Sequence, residues 1–185
     1  MKQTTIKDMM IPRDQYLILD ESSSLIQAMI ALAERHKEGC GPVHNTVFVS
    51  NSRGEIVSRL TIFDLMRAVE PKYQEVTELN LNHFGFSNEY LESILKTNDL
   101  WAKPLEELCS KVPRIKIRDI MLKIPQSEKI SISEDLHRAM NRMILNRHHL
   151  LLVYDRNNQF TGTLRSIDLF QLILNLVEQC QLKKS

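Results

Sequence analysis

The sequence has almost no net charge, little glycine and no long apolar run, and each shortage argues against a class of function. Its 24 lysine and arginine residues are balanced by 23 aspartate and glutamate residues, which leaves a formal charge of +1. Proteins that bind nucleic acid or anionic membranes carry a basic surplus, so we expect neither as a partner. The five glycines disfavour a glycine-rich phosphate loop. No segment approaches the roughly 18 consecutive apolar residues of a membrane span, and the N-terminus lacks a signal-peptide core, so we expect a cytoplasmic protein.

The cysteines are too few and too scattered for a disulfide framework or a paired set of metal ligands. There are three of them, Cys40, Cys109 and Cys180. Cys40 lies midway between His36 and His44, but two glycines and a proline interrupt any helix that would align these side chains. We therefore expect no metal and no required cofactor. We also expect no enzymatic activity, because there is no Gly-x-Ser-x-Gly motif and no cysteine in a recognisable activating context.

What the sequence does contain is an internal repeat. Residues 7–10, Lys-Asp-Met-Met, return as residues 118–121, Arg-Asp-Ile-Met. At the same distance behind each of these leading motifs, apolar residues recur at i, i+3, i+4, i+7 and i+8. This series starts at Leu25 in the first copy and at Leu136 in the second. Such spacing predicts one apolar face of a helix in each copy.

The rest of each copy predicts strands on either side of this helix, and then a second helix. A short apolar segment precedes the first helix, a continuous apolar run follows it, and turn-forming residues lead to a third strand. Each copy is therefore β-α-β-β-α. The first strands are expected at 16–19 and 130–132, the central strands at 46–49 and 150–154, the turns at 51–54 and 155–158, the third strands at 56–60 and 160–164, and the last helices from Asp64 and Asp168.

The repeat divides the chain into three parts. Residues 1–69 form the first repeat, and residues 115–185 form the second repeat with a C-terminal helix. A copy of about 55 residues buries little surface alone, so the two are expected to share one fold. Residues 70–114 carry five aromatic residues and helix-like pieces at 88–95 and 104–109. This segment is too apolar for a flexible linker, and we expect a helical insertion that packs against the repeats or a second subunit.

The two copies in this order resemble a tandem pair of CBS domains, the arrangement called a Bateman module. The resemblance rests on the leading motifs, the Leu-x-x-Ala-Met helices and the segments 60–65 and 162–169, and it covers residues 5–69 and 115–175. It implies an α/β fold of two β-α-β-β-α repeats related by a pseudo-twofold axis, with the helical insertion between them. It also implies a homodimer, and clefts between the repeats that hold adenosine compounds such as AMP, ADP, ATP or S-adenosylmethionine.

The resemblance implies that each cleft is built on a serine or threonine followed three residues later by aspartate. Thr61 and Asp64 match this pattern. The aspartate oxygens would accept hydrogen bonds from both ribose hydroxyls, and the helix N-terminus would add N–H dipoles. The other repeat is implied to complete this cleft, with a histidine near the phosphates. The residues concerned are Lys129, Ile130, His148 and His149.

The second copy departs from the pattern. It keeps Asp168, but Arg165 stands where serine or threonine is expected. An arginine at this position would either fill the space of the ribose or swing out and pair with a phosphate. The resemblance implies that four further residues complete this second cleft: Tyr16, Leu17, Asn45 and Thr46.

Thr61 and Asp64 also have an interpretation that needs no ligand. Thr-x-x-Asp before an apolar run is typical of a helix N-cap, which contributes about 1 kcal/mol of stability. The two roles are compatible, because aspartate can face a ribose while threonine caps the helix. His148 and His149 likewise precede a buried strand and are typical of a strand edge.

Two functions remain open at this point. The first is a non-catalytic regulatory module that senses an adenosine nucleotide and signals to a separate effector protein. The alternative is a ligand-independent dimerisation or interaction module that acts through residues 70–114.

Overall fold

The residues that the structure describes form a mixed α/β fold, as the repeat predicted, and their strands form two β-sheets. The computed structural model describes residues 4–37, 46–70, 92–93, 96–97 and 112–182. Most of the predicted insertion, including the helix-like piece at 104–109, lies outside these residues. The chain divides into two compact units. The terminal unit joins Met1–Tyr16 to Lys123–Ser185, and the central unit is Leu17–Leu122.

The helices and strands of the described residues follow the predicted order in both copies. Each element predicted for the two repeats is present, and a short helix and a two-residue strand that were not predicted precede those of the first copy. The last helices begin two residues before Asp64 and Asp168. The elements are α1 (Ile6–Met9), β1 (Ile11–Pro12), β2 (Leu17–Asp20), α2 (Leu25–Lys37), β3 (Thr46–Ser50), β4 (Ile56–Thr61), α3 (Ile62–Val69), β5 (Lys129–Ser131), α4 (Leu136–Asn146), β6 (Leu150–Tyr154), β7 (Phe160–Arg165) and α5 (Ser166–Leu182).

The central unit contains a three-stranded sheet in the order β2-β3-β4. Strands β2 and β3 are parallel, and β3 and β4 are antiparallel. Val47 and Val49 of β3 join the apolar faces of α2 and α3 in one core, with Leu25 and Leu65 among its members. Phe48, which points to the opposite face of β3, is also fully buried. The continuous apolar run therefore forms a strand buried on both faces, as predicted.

The terminal unit repeats this arrangement and adds one strand. Its sheet has the order β1-β7-β6-β5, with β5 parallel to β6 and the other pairs antiparallel. Its core joins α1 to α4, α5 and the sheet through Ile6, Leu136, Leu151, Leu164 and Leu169.

The two predicted turns have the same construction. Asn51 and Asp155 each accept hydrogen bonds, through the side-chain Oδ1, from the backbone N–H groups two and four residues later. Gly54 and Asn158 then adopt positive φ angles of 75° and 57°. Glycine and asparagine tolerate this left-handed conformation better than other residues, which explains why these residues occur here.

Each leading motif lies in the unit that contains the other copy's sheet. In the terminal unit, Ile11 and Pro12 pair with Thr163 and Gly162 of β7. In the central unit, residues 112–122 pack against the first copy, where Ser58 donates a hydrogen bond of 2.6 Å to the carbonyl of Leu122. The boundaries of the compact units therefore differ from the predicted repeat boundaries. The repeat boundaries follow similarity along the sequence, whereas the compact units follow which segments pack together.

Candidate functional site

Thr61 and Asp64 form a capping box at the start of α3. The backbone N–H and the hydroxyl of Thr61 donate to Oδ2 of Asp64 at 2.8 and 2.7 Å, and the N–H of Asp64 donates back to Oγ1 of Thr61 at 3.3 Å. The predicted N-cap is confirmed. We call Thr61, Asp64 and their neighbour Arg67 the Asp64 site.

The second oxygen of Asp64 has a partner that the sequence analysis missed. Arg67 donates from Nη2 to Oδ1 of Asp64 at 2.9 Å, and the two side chains are 31% and 26% exposed. A carboxylate offers about four acceptor positions, two on each oxygen. The capping box uses both positions on Oδ2 and Arg67 uses one on Oδ1, so one acceptor position remains on Oδ1. The spacing of three residues on a helix was the signal that could have revealed this pair.

The residues predicted to complete this site lie in the terminal unit, where other contacts hold several of them. The ammonium of Lys129 lies 5.3 Å from the ring centroid of Tyr154. Ile130 is 2% exposed in the core, so only its main chain is available to a ligand. His148 Nε2 lies 3.0 Å from the hydroxyl of Ser127. His149 is exposed, and its carbonyl accepts a hydrogen bond from the N–H of Ser166. Their assignment to the Asp64 site stays a prediction.

In the second copy, Arg165 binds the aspartate that the repeat aligns with Asp64. It donates from Nε to Oδ2 of Asp168 at 2.7 Å and from Nη2 to Oδ1 at 2.6 Å. The side chains are 23% and 24% exposed. This is a two-point, charge-assisted pair, and its hydrogen bonds raise the pKa of Arg165 further above its ordinary value. The arginine therefore lies on Asp168 and does not extend away from it.

Tyr16 lies beside this pair in the terminal unit. Its hydroxyl is 2.5 Å from Oγ1 of Thr163, and both residues are buried. Burial raises the pKa of Tyr16, while the Thr163 hydrogen bond and the charge of Arg165 act against that increase. We call Tyr16, Thr163, Arg165 and Asp168 the Asp168 site. Thr163 was missed because no local pattern connects residues so far apart in sequence.

The remaining residues predicted for the second cleft are Leu17, Asn45 and Thr46. Leu17 and Thr46 belong to the central unit, where Leu17 pairs with Val47 and Thr46 pairs with Thr61. Asn45 lies outside the described residues. The structure thus brings together Tyr16, Arg165 and Asp168, and the assignment of the other three stays a prediction.

The described residues contain neither a membrane-spanning helix nor a cluster of metal-ligating side chains. No helix in this part of the chain is long and apolar enough to cross a membrane. No cluster of three or more histidine, cysteine, aspartate or glutamate residues in it has a geometry suited to a metal ion. Cys40 and His44 lie outside the described residues.

The fold has counterparts among known proteins. Residues 117–175 match the family model for the CBS domain. No match was found among curated proteins. A CBS domain-containing protein of unknown function from Bacillus anthracis str. Ames Ancestor is 11% identical, with a TM-score of 0.62 and 94% of each chain covered.

Three further solved structures are similar in fold. CBSX2 from Arabidopsis thaliana is 17% identical, with a TM-score of 0.60 over 96% of this chain and 99% of that one. A structure of CBSX2 in complex with AMP gives a TM-score of 0.56 at 19% identity, over 93% and 97% of the two chains. CbpB in complex with c-di-AMP is 14% identical, with a TM-score of 0.59 over 97% and 91%. The domain match and the shared fold together identify residues 117–175 as a CBS domain and confirm that the chain has the fold of a tandem CBS-pair protein.

Proposed function

We propose that this chain is a non-catalytic regulatory module that binds an adenosine nucleotide at the Asp64 site and signals to a separate effector protein. The CBS-pair fold supports this function, as do the AMP and c-di-AMP complexes of two structurally similar proteins. The observation that carries the proposal is the exposure and hydrogen bonding of the Asp64 carboxylate. Its carboxylate is partly exposed at the first turn of α3 and keeps one acceptor position on Oδ1.

The chemistry of this position suits a ribose. A ribose hydroxyl can donate a hydrogen bond to the remaining acceptor position on Oδ1, and the carboxylate charge strengthens that hydrogen bond. A second ribose hydroxyl requires Arg67 to leave Oδ1. The partly exposed ion pair between Arg67 and Asp64 contributes only about 0.2–1 kcal/mol, so a bound ligand can displace Arg67 at little cost. The N–H groups of the first turn of α3 favour an anion, which suits the phosphate.

Thermal unfolding with and without nucleotide tests the proposal. AMP, ADP, ATP and S-adenosylmethionine are added separately to the full chain. A ligand at about 100 times its Kd stabilises a folded protein by roughly 2.7 kcal/mol. For a chain of this length that corresponds to an increase in Tm of roughly 5–11 °C. The proposal is refuted if no compound raises the Tm, or if the increase survives in Asp64→Ala.

The control for Asp64→Ala must reproduce the loss of a helix cap without touching the site. Thr5 and Asp8 form the same capping box at the start of α1, with distances of 2.9, 2.7 and 3.3 Å. Asp8→Ala therefore removes an equivalent cap in the terminal unit. We expect it to lower the Tm of the free protein but to leave the nucleotide-dependent increase intact. His149→Ala, measured in the same way, tests the predicted phosphate ligand and should reduce the increase given by ATP.

Homodimerisation is a second candidate function, and exposed apolar side chains on two helices favour it. Phe63 and Met66 of α3 are 81% and 50% exposed. Helix α5 exposes a longer series: Ile167, Phe170, Ile173, Leu174, Leu176 and Val177. Exposed apolar patches of this kind mark protein interaction sites. Sedimentation equilibrium should show a dimer that Phe63→Ser or Phe170→Ser weakens, and a wild-type monomer would exclude this function.

A further inference from the structure

The two repeats place different residues at equivalent positions of the two sites. Thr61 ends β4 three residues before Asp64, and Arg165 ends β7 three residues before Asp168. Both aspartates lie in the first turn of the helix that follows. Each repeat thus places an aspartate carboxylate at the start of its last helix. The residue three positions earlier is a capping threonine in the first repeat and an arginine in the second.

The guanidinium binds Asp168 in the geometry that a ribose diol would use, with one hydrogen bond to each oxygen, and it leaves one further acceptor position on each oxygen. A ribose diol would donate one O–H to each carboxylate oxygen, and Arg165 already donates one N–H to each oxygen of Asp168, at 2.6 and 2.7 Å. At the Asp64 site, by contrast, Arg67 contacts only Oδ1, at 2.9 Å. A planar guanidinium forms such two-point pairs with little loss of conformational freedom, so Arg165 is the stronger competitor.

The surroundings hold Arg165 in this position. Thr163 lies two residues earlier on β7, so its side chain emerges on the same face of the strand. Its hydroxyl is hydrogen bonded to Tyr16, and both residues are buried. The phenol therefore lies on the same face of the sheet as Arg165, near enough for the charge of the guanidinium to act on its pKa. Arg165 itself is only 23% exposed.

From this arrangement we propose that the side chain of Arg165 competes with a nucleotide for the carboxylate of Asp168, and that the chain therefore binds one adenosine nucleotide instead of two. The inference rests on the proposed function in one respect, namely that a carboxylate at the start of the last helix binds ribose. Arg165 then determines the stoichiometry of binding, and the two repeats have distinct roles. The repeat with Thr61 binds ligand, and the repeat with Arg165 is closed by its own side chain.

Isothermal titration calorimetry with AMP, and in parallel with ATP, tests this proposal by counting equivalents bound per chain. We expect one equivalent for the wild type and two for Arg165→Thr, which restores the Thr-x-x-Asp pattern of the first copy. The double variant Arg165→Thr/Asp168→Ala should return to one. Hydrogen bonds to charged groups usually contribute a factor of roughly ten to a hundred, so the second site should bind at least tenfold more tightly in Arg165→Thr than in the wild type.

The same comparison in an Asp64→Ala background separates this inference from the proposed function. Asp64→Ala should bind no nucleotide, and Asp64→Ala/Arg165→Thr should bind one equivalent. If the wild type binds nothing but Arg165→Thr gains an equivalent that Asp168→Ala removes, the Asp64 site fails and the role of Arg165 stands. Two equivalents in the wild type would overturn the role of Arg165.

A negative result with Arg165→Thr is informative only if the variant folds, so circular dichroism and a melt accompany each titration. Arg165→Lys serves as the second variant because lysine keeps the charge but cannot donate to both oxygens in a fixed fork. We expect it to gain a second, weaker equivalent. If neither variant gains an equivalent while the fold is retained, the proposal is overturned.

Discussion

Replacing Gly162 with alanine tests how the leading segment packs on the terminal sheet. A Cβ at this position would lie 2.2 Å from the carbonyl oxygen of Ile11, and 3.1 Å from the carbonyl carbon of Ile11 and from Cα of Pro12. Ordinary contacts begin at 3.4 Å. All three neighbours are backbone atoms, so no side-chain rotation relieves the clash. Either β1 or β7 must move by about 1 Å, since overlaps of this size are not tolerated in packed interiors.

The expected loss of stability follows from this displacement. Overpacking a well-packed region costs about 1–3 kcal/mol. In a chain of this length the Tm should fall by roughly 2–12 °C. If β1 withdraws from the sheet, α1 is pulled with it, and Ile6, which is fully buried, loses its place in the core. Residues 4–16 should then exchange their amide protons faster than the rest of the terminal unit.

The measurements are chemical unfolding and hydrogen exchange of Gly162→Ala beside Gly54→Ala. A Cβ at Gly54 meets no atom within 4 Å, but the residue has a φ of +75°. Gly54→Ala should therefore cost about 1–2 kcal/mol through backbone strain and leave the exchange of residues 4–16 unchanged. Wild-type stability in Gly162→Ala, with unchanged protection at Ile11, would show that β1 does not pair with β7 as described.

Three further substitutions test individual contacts. Arg67→Ala removes the side chain that donates to Oδ1 of Asp64, so nucleotide should bind up to about fivefold more tightly in a calorimetric titration. Weaker binding would mean that Arg67 assists the ligand. Thr163→Val removes one hydrogen-bond partner of the buried Tyr16 hydroxyl and should cost about 0.5–1.5 kcal/mol in urea unfolding, whereas an unchanged stability would contradict this hydrogen bond. Burial raises the pKa of Tyr154 above its ordinary value of 10.0, and its hydroxyl has no hydrogen-bond partner among the described residues. As the pH rises, the unfolded chain therefore loses this proton before the folded chain does, so the free energy of unfolding falls above pH 10.0. Tyr154→Phe should lessen that fall and leave the free energy of unfolding at pH 7 unchanged or higher.

Local patterns predicted the helices and strands of both repeats, although they did not predict α1 and β1. The apolar spacing from Leu25 and Leu136 predicted α2 and α4, and continuous apolar runs predicted β3 and β6. These patterns are reliable because a helix or strand must turn its apolar side chains to one core, and that requirement appears as a period in the sequence. Helix α3 begins earlier than predicted because the capping residue Thr61, and not Asp64, marks the helix start.

The candidate site was only partly predictable. Thr61 and Asp64 were identified because the pattern is local and occurs in a repeat. Arg67 was available from helical spacing but was missed. The contact between Tyr16 and Thr163 could not be predicted from one sequence, because the two residues are 147 positions apart and neither carries a local signature of the other.

The sequence by itself determined the number of copies, the order of the elements and the difference between Thr61 and Arg165 at equivalent positions. These properties depend on neighbours within a few residues, where helix and strand geometry fix which side chains share a face. Only the tertiary structure decided that each leading motif packs on the other copy's sheet, and that Arg165 lies on Asp168 beside Tyr16. Those contacts depend on the path of the chain between distant segments, and the local periodicity of a sequence does not record that path.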